Sequence, residues 1–419
     1  MNNEEIINKV KLKNTLSYDE LAYFFNGYLN GTINDDDMTK MLKAIVKYKL
    51  NKNEIFDLCD IFIKSGEVLN LSNIKNLCDK HSTGGIGDKT TLIIAPIVAC
   101  LGVNLVKMSG KGLGYTGGTI DKLESINVNT DLDYDTLYEN VSKFGFAITK
   151  QTSNLCPLDK KVYALRDVTN TTEDIGLIAT SIMSKKIACS SKNIVIDLKV
   201  GKGALIKNKK DALKLATIMK EIGIKYNRNV ICVLTDMNKP LGYNIGNKIE
   251  IMEVLEFLQN KVRGNLYELC VYLASKIVEI TLNIPFETAK IKVIEQIENG
   301  NAYKRFVSYV TYNNGNINIL KLPDGLKVYA THTGYIKDID ALNLGKTSVL
   351  LGAGRKTKDD LINYDAGIII EKHVTAKVLK GDVLCTLYGN TKNINTDVSK
   401  CFKISKIKQK PKSVIIGCL

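Results

Sequence analysis

The chain has 419 residues, of which 45% are hydrophobic and 24% charged, and its 58 Lys and Arg against 44 Asp and Glu give a formal charge of +14. That length exceeds one core, so two or three domains are expected. The lysines are spread along the chain with no basic run interleaved with aromatics, which argues against nucleic acid as a partner. No apolar run approaches the ~18 residues of a membrane span. The start, Met1-Asn2-Asn3-Glu4-Glu5, is polar and acidic, so no signal peptide is expected. Ten cysteines form no C-x-x-C pair and only three histidines are present, so a zinc site has little to build on. The thiols sit mostly in apolar runs and read as small buried hydrophobes of a cytoplasmic, reducing compartment.

From Glu4 to Gly66 the apolar period is helical. Ser17-x-x-Glu20 predicts a capping box ahead of Leu21, Phe24, Phe25 and Leu29. Asn34 with Asp35, Asp36 and Asp37 predicts the start of a helix carrying Met41, Leu42, Ile45 and Val46. A further helix begins near Asn53 and stops at Gly66. After Gly66 the pattern becomes βα alternation, with a helix to Leu101, a strand near Leu105–Met108, and later strands at Ile194–Val200 and Val230–Thr235. Between Leu155 and Ala188 helical character returns, with Ser181 and Lys185 spaced i, i+4 on one face. From about Gly334 short β-branched runs predict a β-rich appendage.

The expected fold class is therefore α/β: a small all-α domain, a large mixed α/β domain and a β-rich C-terminal part. The expected division is residues 1–66 with 155–188 for the helical domain, 67–154 with 189–333 for the α/β domain, and 334–419 for the remainder.

Two glycine-rich loops carry the chemistry. The first, Asp79-Lys80-His81-Ser82-Thr83-Gly84-Gly85-Ile86-Gly87-Asp88-Lys89-Thr90-Thr91, combines glycines, hydroxyls, a lysine and a following helix start, the ingredients of an anion cradle. It matches neither G-x-x-x-x-G-K-[ST] nor G-x-G-x-x-G. The second runs Ser109-Gly110-Lys111-Gly112-Leu113-Gly114-Tyr115-Thr116-Gly117-Gly118-Thr119. Two such loops at strand ends of a parallel sheet are expected to converge on one phosphate-bearing ligand.

These loops, together with Tyr163-Ala164-Leu165-Arg166-Asp167-Val168-Thr169, Ser181-Ile182-Met183-Ser184-Lys185-Lys186 and Asp197-Leu198-Lys199-Val200-Gly201-Lys202-Gly203-Ala204, resemble the thymidine phosphorylase and pyrimidine-nucleoside phosphorylase family. The resemblance covers nearly the whole chain and is weakest over 304–320. It implies a homodimeric pentosyltransferase of nucleoside salvage whose cleft closes by domain rotation. The substrates would be a pyrimidine nucleoside and inorganic phosphate, with no required cofactor. By this likeness phosphate is held by Lys80, Ser82, Thr91, Ser109 and Thr119. The pyrimidine is read by His81, Arg166, Ser181 and Lys185, with His81, Arg166 and Lys185 stabilising or protonating the departing base.

Three departures accompany the likeness. Lys111 and Tyr115 stand where relatives often carry Arg and His. Lys89 stands where some relatives offer Thr to a monovalent cation, so the implied potassium site, Gly87, Lys89, Leu241, Asn244 and Glu253, is opposed by the lysine's own charge. Lys107 has two readings, a donor to a ribose 2′-hydroxyl or a solvated lysine at a strand end. Asp88, Asp121 and Asp159 are expected to cap loops or pair with lysines. The alternatives are a strict thymidine phosphorylase and an anthranilate-type phosphoribosyltransferase.

Overall fold

The computed structural model describes residues 2–112, 114–152, 154–357 and 360–419. Thirteen strands are present among them: β1 (Leu77–Ser82), β2 (Asn104–Ser109), β3 (Phe146–Lys150), β4 (Asn193–Val200), β5 (Asn229–Asp236), β6 (Asn244–Gly246), β7 (Leu326–Tyr329), β8 (Gly334–Ile339), β9 (Gly367–Ile370), β10 (Lys377–Val378), β11 (Val383–Tyr388), β12 (Phe402–Ser405) and β13 (Ile415–Cys418).

The N-terminal 66 residues form the helices Asn3–Lys11, Tyr18–Asn30, Asp35–Tyr48 and Lys52–Lys64. Ser17 and Glu20 make the expected capping box, and Asn34 accepts from the Asp37 amide. The last of these helices starts slightly before the predicted position because Asn51 caps it, with Glu54 closing a second capping box. Leu21, Phe24, Phe25, Met41, Leu42 and Leu58 are buried together with Leu158, Val162 and Leu165 from the helix Pro157–Val168. The inserted segment thus completes the N-terminal bundle. The helix Ile175–Ala188 bridges the layers, sharing a core with Ile55, Cys59 and Ile63 on one side and with β4 and β5 residues on the other.

The large sheet has six strands in the order β13-β5-β4-β1-β2-β3. All its pairings are parallel except that of β13 with β5. Because β1 leads towards β2 and β3 while β4 leads towards β5, the chain reverses direction between β1 and β4. Parallel strands place their carboxyl ends along one edge, and that reversal opens a crevice there. The helix Thr90–Cys100 behind the sheet is apolar all round, as a helix enclosed by protein must be; Leu92, Ile93, Ile94 and Ile97 are fully buried. Leu92→Ala in this environment costs about 2–5 kcal/mol.

The C-terminal part departs from the expected cut at 334. A sheet in the order β6-β9-β11-β7 recruits β6 from the middle of the chain and β7 from before the cut, beside a second sheet ordered β10-β8-β12. The final strand, β13, returns to the edge of the large sheet instead of staying with the appendage. Such strand exchange depends on long-range pairing, which local composition does not encode. No helix among the described residues is long and apolar enough to cross a membrane.

Candidate active site

A cleft of about 810 Å³ opens at the carboxyl ends of β1, β2 and β3, with the helices Pro157–Val168 and Ile175–Ala188 as its opposite wall. That volume is within the range of small-molecule sites. Ser82, Thr91, Ser109 and Thr119 all line it, together with Gly84, Gly110, Gly112, Gly117 and Gly118.

The cradle is built on a charged floor. Ser82 Oγ donates to Asp88 and receives the Gly84 amide at 3.2 Å, while Thr90 Oγ1 donates to Asp88 at 2.7 Å. Burial pushes the Asp88 carboxyl up, but Lys199, Lys80 and the hydroxyls of Ser82 and Thr90 outweigh it and hold it well below the usual carboxylate range. Lys80 differs from the expectation. Strand alternation sends His81 towards the cleft and Lys80 beneath it, where Nζ donates to Thr90 Oγ1 at 2.5 Å and Thr91 Oγ1 at 3.4 Å. Lys80 is fully buried, lies 4.0 Å from Asp197 and is absent from the cleft lining. The threonine layer stands between its charge and the cleft.

On the opposite wall Lys185 donates to Asp159 and, at 3.2 Å, to Ser181 Oγ. Lys186 donates to Asp79 at 2.7 Å. Ser181 is buried behind Lys185 and does not itself line the cleft. Lys107, buried on β2, does line it, so it is not a solvated strand-end lysine. Burial and then the neighbouring Lys186 lower its pKa to about 7. Burial, followed by Lys107, Lys186, Lys185 and Lys80, drives His81 well below the ordinary histidine value. The shift favours the neutral imidazole, which can hydrogen-bond a base, the stabilising rather than the protonating half of the expected role.

Arg166 is not brought into the cleft either. Its guanidinium donates to three main-chain carbonyls, Thr171 at 3.1 Å, Thr172 at 3.0 Å and Leu177 at 3.2 Å, and so ties down the turn between two helices. Sitting near the end of its helix, the side chain finds this turn within reach, and its guanidinium also lies over the Tyr163 ring, 5.6 Å from the centroid.

Sequence reasoning missed Arg355. Its guanidinium lies 2.8 Å from Asp121 and donates to Gly112 O at 3.2 Å, while its carbonyl accepts from the Gly114 amide at 2.9 Å. Asp121 also accepts the Gly112 amide at 2.6 Å. Arg355 therefore clamps the second glycine loop from a remote part of the chain. The one local signal was an arginine inside the glycine-rich run Gly352-Ala353-Gly354-Arg355. The loop also has no room for a side chain at Gly112, where a Cβ would lie 2.5 Å from the Gly118 nitrogen. Leu113 lies outside the described residues. Lys111 pairs with Glu124 at 3.0 Å, and Lys150 with the same carboxylate at 2.9 Å.

Residues 74–303 match the model of the glycosyl transferase family, a/b domain, and residues 335–407 match the pyrimidine nucleoside phosphorylase C-terminal domain. A pyrimidine-nucleoside phosphorylase of Bacillus subtilis (strain 168) is 40% identical, covering 98% of this chain and 97% of its own length. One from Staphylococcus haemolyticus (strain JCSC1435) is also 40% identical, over 94% of each chain. This chain belongs to the pyrimidine-nucleoside phosphorylase family. Among solved structures, anthranilate phosphoribosyltransferase from Thermus thermophilus is similar with a TM-score of 0.59 at 14% identity, covering 74% of this chain and 99% of that one. That likeness concerns the fold alone.

Membership of the pyrimidine-nucleoside phosphorylase family brings the implied potassium site into question. Gly87, Lys89, Leu241, Asn244 and Glu253 do come together, but around an ammonium. Lys89 Nζ donates to Leu241 O at 3.2 Å, Asn244 O at 2.9 Å and Glu253 Oε2 at 2.5 Å. The side chain is fully buried there. A second cation among the same oxygens would meet a like charge at contact distance, so this donor set does not fit potassium. The potassium expectation is corrected accordingly.

Proposed function

We propose that the chain catalyses the reversible phosphorolysis of uridine, thymidine and deoxyuridine, giving free pyrimidine and ribose or deoxyribose 1-phosphate. The observation that carries this reading is the facing of two half-sites across one cleft. Hydroxyls and glycine amides lie at the ends of β1 and β2, with His81 and Lys107 of the same two strands beside them, and Lys185 lies on the opposite wall. Family membership supports the same chemistry.

In this reading phosphate sits on Ser82, Thr91, Ser109 and Thr119, with Lys80 adding charge through Thr90 and Thr91. Cleaving the N-glycosidic bond builds positive charge on the sugar and negative charge on the base. Phosphate approaching the sugar face opposite the base stabilises the first and then bonds to C1′, inverting the anomer. Lys185, aimed by Asp159 and Ser181, stabilises the second, and neutral His81 hydrogen-bonds the base. Lys107 donates to the 2′-hydroxyl of a ribonucleoside. Arg166 contributes to base binding only when its three carbonyl bonds are released as the cleft closes. Closure brings the reactants into line and expels water that would otherwise hydrolyse the nucleoside. No covalent enzyme intermediate enters this reading.

A homodimer is part of the same proposal, as is a cytoplasmic setting, which the ten free cysteines fit. Sedimentation tests the former. The activity test is release of free base from uridine, thymidine and cytidine with and without inorganic phosphate, in the presence of a chelator. Phosphate-dependent release from uridine and thymidine supports the proposal. Release from thymidine alone makes the chain a strict thymidine phosphorylase, and no release overturns the reading.

A further inference from the structure

The oxygen set around Lys89 has a particular character. Two of its three members are main-chain carbonyls, those of Leu241 and Asn244, which converge from one turn. The third is Glu253, whose carboxylate is itself oriented by the amides of Tyr243 at 2.7 Å and Asn244 at 2.9 Å. Three oxygens match the three N–H donors of one ammonium, and the set, two carbonyls and a carboxylate, is of the hard-oxygen kind that also surrounds a singly charged metal cation. The cage lies directly behind the phosphate cradle. Lys89 immediately precedes the helix that presents Thr90 and Thr91, and the Leu241 amide donates to Ile86 O at 3.0 Å. Gly87 is pressed against the same turn, with a positive φ of 76° and space so tight that a Cβ would lie 2.5 Å from Leu241 O.

We infer that the Lys89 ammonium is a tethered cation that fills this cage and fixes the phosphate loop against the turn 241–244, so the protein needs no dissolved monovalent cation. An ammonium and a potassium ion carry the same charge and are of similar size, and here the covalent tether supplies the cation without the translational entropy cost of capturing a free ion. The functional half of this inference rests on the phosphorolysis reading, but its structural half does not.

The test compares the parent protein with Lys89→Ala and Lys89→Met in tetramethylammonium chloride, replaced stepwise by potassium or ammonium chloride at constant ionic strength. Melting temperature and phosphate-dependent base release are both measured. The parent is expected to be indifferent to the replacement in both readouts. Lys89→Ala is expected to melt several degrees lower and to lose at least about tenfold in kcat/KM in tetramethylammonium, with saturable recovery by ammonium or potassium. Lys89→Met, which refills the volume without charge, recovers with neither. A parent that potassium activates or stabilises saturably overturns the inference, and so does a Lys89→Ala variant unchanged in both readouts. If Lys89→Ala does not fold in any salt, the parent titration decides. Melting needs no turnover, so a parent inactive on every nucleoside but with this melting pattern refutes the phosphorolysis reading alone.

Discussion

Lys185 donates to the carboxylate of Asp159, joining the helix Ile175–Ala188 to the helix Pro157–Val168 at the cleft wall. The lysine side chain is 23% exposed while that of Asp159 is 4% exposed, so a buried carboxylate aims a cation that can meet a ligand. Lys185→Ala is expected to lose at least about 100-fold in kcat, as removal of a charge-stabilising donor does. Asp159→Asn keeps the ammonium but loosens its aim, and is expected to lose about tenfold in kcat/KM. Steady-state kinetics with uridine and a circular-dichroism check of the fold measure both.

Lys80 is buried among charges that need it. Lys80→Ala removes the cation near Asp197 and the donor to Thr90 and Thr91, leaving carboxylates less compensated. The expected loss of stability is about 3–5 kcal/mol, with loss of most turnover. Urea denaturation measures the first. A variant as stable as the parent would show that the threonine layer stands without the lysine.

Arg166 offers a contrast. Arg166→Lys cannot satisfy carbonyls of Thr171, Thr172 and Leu177 together, so a stability loss of about 1–3 kcal/mol is expected. Faster proteolysis within 169–175 should accompany it. A raised KM for uridine in a protein of parental stability would instead assign Arg166 to the base alone.

Lys107 makes a prediction about pH. Its folded pKa of about 7 lies below the ~10.4 of an exposed lysine, chiefly because burial disfavours the charge. Between those values the unfolded chain binds more protons, so this group's contribution to stability falls as pH drops from ~10.4 towards about 7 and is level below. Lys107→Met should therefore stabilise the protein at pH ~7, by on the order of a few kcal/mol, and make little difference above pH ~10. The same substitution should abolish preference for uridine over deoxyuridine. In the parent that preference should change with an inflection near pH ~7, measured as a ratio of kcat/KM values.

Much of this protein is local, and so was legible. The capping residues Ser17 and Asn34, the period-3.6 apolar faces and the glycine loops act through near neighbours in the chain, and the structure gives them the forms their letters predict. The hydroxyls of Ser82, Thr91, Ser109 and Thr119 lie where loops at parallel strand ends must lie. Arg355 was not legible as a clamp because its partners, Gly112 and Asp121, are more than two hundred residues away in the chain.

By itself the sequence determined the α/β class, the glycine-rich loops and the family, since these rest on periodicity, glycine placement and residue strings that persist whatever the packing. Only the tertiary structure decided which charged groups face the cleft. Strand alternation put Lys80 under the cradle, and helix packing gave Arg166 to three carbonyls. Burial and four lysines lowered the pKa of His81, and a distant turn closed around Lys89. A charge is steered by every group within a few ångströms, and those groups come from all along the chain.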